Sequence, residues 1–326
     1  TGRSLARHRT MEVGGGAAAA SSSASGASSH AGEMHFYHYN RWPNVMGNLG
    51  ICAMNLYMLH NANGSLTRPV LWTNQLTGRT APGVEVRPLD LRGLFAGTPF
   101  EPFPDRYGTS TSSNYKQRGD PRCGSQMFDA LRLALLFKRG GGYFDLDILS
   151  LARAMTPRAG ATYQDPAMLN NAPLFFPAGD PCLVAMMETM VYHSQPCALK
   201  WADNGPPLVN RVLRNKSEPR CAHVEIMPTH VYHPFAFHKF HSQSLRHKVI
   251  GSLINGSSKL NALSRKGTVA IHLFTSLQQP VDVALLTKKM CGPHPAAINY
   301  TLKVPAEVIQ GTTVWGGQFV RGGSKT

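Results

Sequence analysis

One 25-residue run limits the fold more than any other part of the chain: Gly124-Ser-Gln-Met-Phe-Asp-Ala-Leu-Arg-Leu-Ala-Leu-Leu-Phe-Lys-Arg-Gly-Gly-Gly-Tyr-Phe-Asp-Leu-Asp-Ile148. Met127, Leu131, Ala134, Leu135 and Lys138 follow helical spacing, and Ser125 is placed to cap the first turn. Gly140 to Gly142 end the helix, because glycine enters the left-handed cap conformation without a Cβ clash. From Tyr143 to Leu149 the pattern changes to period two. Tyr143, Asp145 and Asp147 then share one face of a strand, with Phe144, Leu146 and Ile148 on the other. A helix delivered into a strand by a tight turn is a unit of an α/β sheet.

The surrounding sequence keeps that rhythm. Residues 49–59 read as a short helix, followed by an Asn/Gly turn and the strand-like Pro69-Val-Leu-Trp-Thr73. Residues 84–89 alternate as a second strand, and 99–122 read as a loop rich in Pro, Gly, Ser and Arg. Residues 35–50 are aromatic and irregular, and no strand is recognisable there. Three regions follow: a Gly/Ala/Ser-rich flexible stem over 1–33, a catalytic domain over 34–302, and a Gly-rich tail over 303–326.

Two carboxylates on one strand face suit a hard divalent cation. Mg²⁺ or Mn²⁺ accepts a few carboxylate oxygens and completes its shell with phosphate oxygens and water. On the preceding helix Asp129 and Arg132 stand three residues apart and are surface neighbours. Together they can grip sugar hydroxyls and phosphate oxygens; the plainer reading is a solvated ion pair. A phosphatase of the haloacid dehalogenase type would continue its Asp-x-Asp with Gly-Thr. Here Ile148-Leu149 follows, which argues against that chemistry.

The formal charge of +15 raises nucleic-acid binding as a question. The basic residues stand in ones and twos, as at Arg87, Arg92, Arg118 and Lys138, rather than in an aromatic-interleaved stripe. Attraction to phosphorylated donors or anionic membrane surfaces fits that distribution better, and no nucleic-acid partner is expected. Six widely spaced cysteines form no metal-finger pattern and permit up to three disulfides of unassigned pairing. With four N-glycosylation sequons, at Asn63, Asn215, Asn255 and Asn299, they favour an oxidising secretory compartment. No apolar run approaches the ~20 residues of a membrane span, and with Thr1 rather than Met at the start that absence is no argument for a soluble protein. The histidines from His223 to His247 match no common zinc spacing and read as surface or loop residues. Tyr232-His-Pro-Phe235 reads as a packed loop, and Met186, Met187 and Met190 as core. Trp201 fits either the core or an acceptor cleft.

The D-x-x-R…G-G-x-Y-x-D-x-D arrangement resembles the signature of retaining glycosyltransferases, and most closely the animal α-1,4-glycosyltransferase family. Further blocks are similar to that family: Val86 to Pro99, Asn171-Ala-Pro-Leu-Phe-Phe176, Trp201-Ala-Asp-Asn-Gly-Pro-Pro-Leu-Val-Asn-Arg-Val212, Val231-Tyr-His-Pro234 and Lys289-Met-Cys-Gly-Pro293. The resemblance covers residues 84–295. It implies a GT-A-type α/β fold with a mixed central sheet flanked by helices, a UDP-sugar donor, Mn²⁺ or Mg²⁺, and a galactose-terminated glycolipid or glycan acceptor. It also implies a lumenal catalytic domain on a type II Golgi membrane anchor. Carried over by position, Asp147 is the principal metal ligand, and Asp145 serves the metal, ribose and donor sugar. Tyr143 lies beside the nucleotide, Asp129, Arg132 and His272 bind the donor, and Asn204 and Gly205 line the pocket at the reacting carbon. The resemblance also implies α-1,4 transfer with retention.

Three positions depart from the family. Phe128 replaces a Ser before the helix Asp, Asn204 replaces a Gln, and His272-Leu-Phe-Thr275 replaces His-x-Trp-Asn. The first and third motivate an alternative, a glycosyltransferase-like glycan- or nucleotide-binding protein without turnover.

Overall fold

The computed structural model describes residues 32–38, 47–62, 68–75, 77–102, 121–193, 204–215, 217–235, 250–251, 253, 262–263, 265–274, 280–292 and 295–302, with side chains omitted at 121–125, 280–283 and 300. Residues 1–31 of the expected stem, the tail, Trp201, His238, His241, His247, Cys197 and the sequons at Asn63 and Asn255 lie outside the described residues, and Glu33, placed in the stem, opens a strand.

A seven-stranded mixed sheet carries the molecule, in the order β4-β2-β1-β5-β8-β7-β9. Its strands are β1 (Glu33–His38), β2 (Arg68–Thr73), β4 (Glu85–Pro88), β5 (Gly141–Tyr143), β7 (Gly160–Asp165), β8 (Met168–Phe176) and β9 (Glu225–Met227). β1 runs parallel to β2 and β5, β2 runs parallel to β4, and β8 is antiparallel to both β5 and β7. Two small antiparallel ladders complete the pairing. One joins β6 (Ile148–Ser150) to β10 (Ala270–His272), the other β3 (Thr77–Thr80) to β11 (Ile298–Thr301). Helices α1 (Asn48–Asn61), α2 (Leu91–Phe95), α3 (Pro121–Arg139), α4 (Pro181–His193), α5 (Pro206–Leu213), α6 (Thr229–Tyr232) and α7 (Pro280–Cys291) cover the sheets. This is the mixed α/β arrangement expected of a GT-A-type fold.

Three expectations are corrected. β1 lies centrally, within a segment whose sequence shows no recognisable strand. Two of the polar residues that mask the strand pattern, Glu33 and His35, have remote partners. Buried Glu33 accepts two hydrogen bonds from Arg87, at 3.0 and 2.7 Å. The His35 ring takes the Trp72 indole N–H on Nδ1 at 3.3 Å and faces the Gly140 carbonyl with Nε2 at 2.8 Å. Burial lowers the His35 pKa to about 4, so the ring stays neutral between those partners. Helix α3 begins at Pro121, four residues ahead of the expected cap at Ser125. Finally, β5 ends at Tyr143, and Asp145 and Asp147 lie in the link to β6. A turn, closed by the Ile148 N–H donating to the Asp145 carbonyl at 3.1 Å, redirects the chain from the central sheet into the second ladder.

The glycine run performs as its spacing predicts. Gly140 and Gly141 hold φ of 67° and 89°, and a Cβ on Gly141 would collide with the Glu33 carbonyl oxygen. The helix thereby stops within one residue of the strand that must lie against β1. Behind the site, Phe144 meets Phe36, Tyr57, Phe175 and Tyr232 edge-on, with centroid separations of 6.2, 5.6, 6.2 and 5.8 Å. Met186, Met187 and Met190 are buried in the same core, as is Tyr232. Two disulfides join distant elements: Cys52–Cys291 ties α1 to α7, and Cys182–Cys221 ties α4 to the turn before β9. Among the described residues no cysteine is free and no helix is long and apolar enough to cross a membrane. Asn215 and Asn299 are exposed.

Candidate active site

The carboxyl ends of β1 and β5 and the turn into β6 form one wall of the site. Register does the placing. Because β10 pairs with β6 so that His272 opposes Ile148, the imidazole arrives next to Asp147, and the Leu273 N–H donates to the Asp147 carbonyl at 3.0 Å. His272 Nε2 lies 3.1 Å from Asp147 Oδ1 and 3.9 Å from Asp145 Oδ2. One donor atom from each of Asp145, Asp147 and His272 falls within 4.8 Å of the others. Two carboxylate oxygens and an imidazole nitrogen can hold a divalent cation and leave further positions for phosphate oxygens and water. His272, expected only among the donor-binding residues, joins the two aspartates as a third potential ligand.

A second group stands beside it. From α3, Arg132 makes ion pairs with Asp129 at 3.3 Å and Asp145 at 3.5 Å, and its Nη1 donates to the Asn171 carbonyl at 3.0 Å. Its guanidinium lies over the Tyr143 ring, 4.8 Å from the centroid. Burial opposes the Arg132 charge, but the neighbouring carboxylates of Asp145 and Asp129 outweigh it and hold the group protonated. This is therefore a buried charge network and not the solvated pair of the plainer reading. Asp129 also accepts from Asn171 Nδ2 at 2.6 Å. Two carboxylates share one guanidinium here, and burial, reinforced by Asp145, raises the Asp129 pKa to about 7 against the pull of Arg132 and Asn171.

Tyr143, expected beside the nucleotide, is fully enclosed. Burial holds its hydroxyl protonated, and it donates to Asp145 Oδ1 at 2.9 Å. Tyr143 thus acts on the aspartate's orientation. Gly205 opens α5, directly after buried Asn204, and packs so closely that a Cβ would stand 2.8 Å from Asn171 Nδ2 and 3.2 Å from both Asp129 carboxylate oxygens. Phe128 stacks on Tyr37 at 4.7 Å, and Tyr37 on Tyr143 at 5.8 Å. Where the family has a polar side chain, this chain therefore extends an aromatic column alongside Arg132.

Several contributors carry no signal of their own in the sequence. Asn171 is visible there only as part of a core strand. Asn170 bonds the His233 ring at 3.0 Å, and His233, expected at the surface or in a loop, is buried against His272 at 3.1 Å. Phe274 lies flat on His272, with centroids 4.1 Å apart and planes 21° apart. An aromatic ring thus remains at the place where the family has Trp.

Residues 53–164 match the family model described as "Glycosyltransferase sugar-binding region containing DXD motif". The chain is 27% identical to lactosylceramide 4-alpha-galactosyltransferase of Rattus norvegicus, over 57% of this chain and 51% of that protein. It is 29% identical to the Pongo pygmaeus protein of the same name, over 57% and 84%. It is 25% identical to human alpha-1,4-N-acetylglucosaminyltransferase, over 47% and 44%. The match to the rat protein thus spans about half of that relative's length. Among solved structures, the PaToxG glycosyltransferase superposes with a TM-score of 0.39 and 14% identity, over 87% of this chain and 86% of that one. The chain is similar to DXD-type glycosyltransferases over that region, within which Asp145-Leu-Asp147 is a DXD sequence.

Proposed function

From a chain carrying the DXD-containing sugar-binding region, we infer a retaining, metal-dependent glycosyltransferase. It moves a hexose or N-acetylhexosamine from a UDP-sugar, in α-1,4 linkage, to a galactose-terminated glycolipid or glycan. The convergence of Asp145, Asp147 and His272 on one point, with Asp129 and Arg132 alongside, carries this reading. Asp147, Asp145 and His272 hold the cation, and the nitrogen donor favours Mn²⁺ over Mg²⁺. When bound, such an ion neutralises charge that builds on the diphosphate as the sugar departs. Arg132 keeps Asp145 in place and supplies fixed positive charge. Asp129, held by Asn171, is oriented to accept from sugar hydroxyls. Asn204 and Gly205 line the pocket near the reacting carbon.

Retention proceeds by attack on the face from which UDP leaves. The bond from the sugar C1 to the phosphate oxygen breaks, a bond from C1 to the acceptor oxygen forms, and the acceptor's proton passes to the departing phosphate. The residues from 34 to 302 constitute the catalytic domain. The disulfides and exposed sequons support a lumenal, Golgi-type setting. Three UDP-sugars screened with Mn²⁺ against lactosylceramide and simple β-galactosides test the assignment. Asp147→Asn should abolish transfer while leaving the melting temperature within a few degrees. Near-normal turnover by that variant would overturn the reading, and UDP binding without turnover in the unmodified chain would favour the inactive binding protein.

A further inference from the structure

His272 presents two ring nitrogens with different tasks, and the groups behind it determine which one carries the proton. The chain of constraint begins at Asn170. Its Oδ1 accepts the backbone N–H of Asn171 at 2.7 Å and that of Ala172 at 3.1 Å. A flipped amide would set N–H against N–H at both contacts, so Nδ2 must be the end facing His233 Nε2 at 3.0 Å. His233 Nε2 is therefore an acceptor. His272 Nδ1 lies 3.1 Å from that same nitrogen, and the contact is attractive only if His272 Nδ1 bears the hydrogen. The His272 Nε2 lone pair then points at Asp147 Oδ1, 3.1 Å away. Two facing lone pairs at that distance repel one another unless a positive charge lies between them, and a divalent cation would supply it.

The arrangement is enclosed. His233 is 1% exposed, and the Phe274 ring covers both imidazoles, with centroids 5.7 Å from His233 and 4.1 Å from His272. To put its ring there Phe274 takes a φ of 51°, a left-handed conformation that a bulky side chain rarely adopts. Packing over the histidine pair holds it.

We propose that Asn170 and His233 are positioning residues that fix the proton of His272 on Nδ1, leave Nε2 free for a divalent cation, and thereby set the site's metal affinity. This rests on the reading above that His272 completes the cation site. Partners behind a ligating histidine typically change metal affinity by about 10–100-fold when removed.

The test is Mn²⁺ binding to the purified full chain, by calorimetry in the presence of UDP, without reference to turnover. His233→Phe keeps the packing and removes the acceptor; Mn²⁺ affinity should fall about 10–100-fold. His233→Gln restores an acceptor and should recover affinity to within about threefold of the unmodified chain. Asn170→Asp provides the sharpest contrast, and a second route should His233→Phe fail to fold. The new carboxylate keeps the two backbone contacts but calls for a donor at His233 Nε2, so the His233 hydrogen moves from Nδ1 to Nε2. That single N–H, shared between the carboxylate and His272 Nδ1, makes Nδ1 an acceptor and leaves the His272 hydrogen on Nε2. Simple attraction by an added negative charge would tighten Mn²⁺ binding; the relay predicts a loss of tenfold or more. Unchanged or tighter binding by Asn170→Asp, while His272→Ala binds weakly, overturns the relay and leaves the cation site standing. Unchanged binding by His272→Ala overturns both the relay and the ligand role of His272 on which it rests.

Discussion

Asp129→Asn should make the protein more stable, by an amount that grows with pH. In the folded chain Asp129 is buried and shares Arg132 with Asp145, and its pKa stands at about 7 against an ordinary 3.8. Its folded pKa is raised, so the folded state binds the proton more tightly than the unfolded state does. Stability accordingly falls as pH rises between the two values, and the penalty is fully present above about pH 7. A rise of that size amounts to roughly 4 kcal/mol, of which more than half develops between pH 5 and pH 8. Asparagine removes the titration, keeps a carbonyl oxygen for the Asn171 amide, and leaves Arg132 balanced against Asp145 alone. Urea denaturation of both proteins, metal-free and with disulfides intact, should give a stability difference that widens by roughly 2–3 kcal/mol across that range. The same variant should lose affinity for a UDP-sugar, since the charged acceptor is gone. A pH-independent difference, or an Asp129→Asn protein less stable than its parent at pH 8, refutes the reasoning.

Gly205→Ala should push Asn171 off Asp129, costing about 1–3 kcal/mol in denaturant stability and weakening donor binding measured by calorimetry. Arg87→Ala leaves buried Glu33 facing the more exposed Arg68, 3.2 Å away. A loss of about 3 kcal/mol should appear in the same assay, with metal affinity unchanged because the pair lies at the amino end of β1. Replacing Cys182 and Cys221 together with Ser opens a link that closes 39 residues and should cost about 4 kcal/mol by chain entropy. A scanning calorimetry midpoint unaffected by that double change would refute it.

Much of the site is legible in the sequence, because the helix, glycine stop and acidic pair are local. Asp129 and Arg132 meet through helical spacing alone, and Gly141 must approach β1 whatever else packs around it. The misreading in that stretch is also local: an alternating Asp-Leu-Asp pattern suits a strand and a tight turn equally, and the β6–β10 ladder decides between them. What is not legible depends on residues far apart in sequence. Glu33 and His35 look wrong for a central strand until Arg87, Trp72 and Gly140 are brought to them. His272 stands out as a single histidine, yet its place beside Asp147 follows from strand register. His233 belongs to the site only through a partner 39 residues downstream and an amide 63 residues upstream.

The bridge between Cys52 and Cys291 sets a timetable for the chain's synthesis. Its two halves are separated by 239 residues. At about 5–20 residues per second, the first thiol waits on the order of tens of seconds before its mate leaves the ribosome. Cys182 and Cys221 emerge within that interval, only 39 residues apart, and their early union withdraws both from competition. A ribosome stalled between positions 182 and 221 would prolong the exposure of Cys52 to the wrong sulfur, and with it the yield of scrambled product.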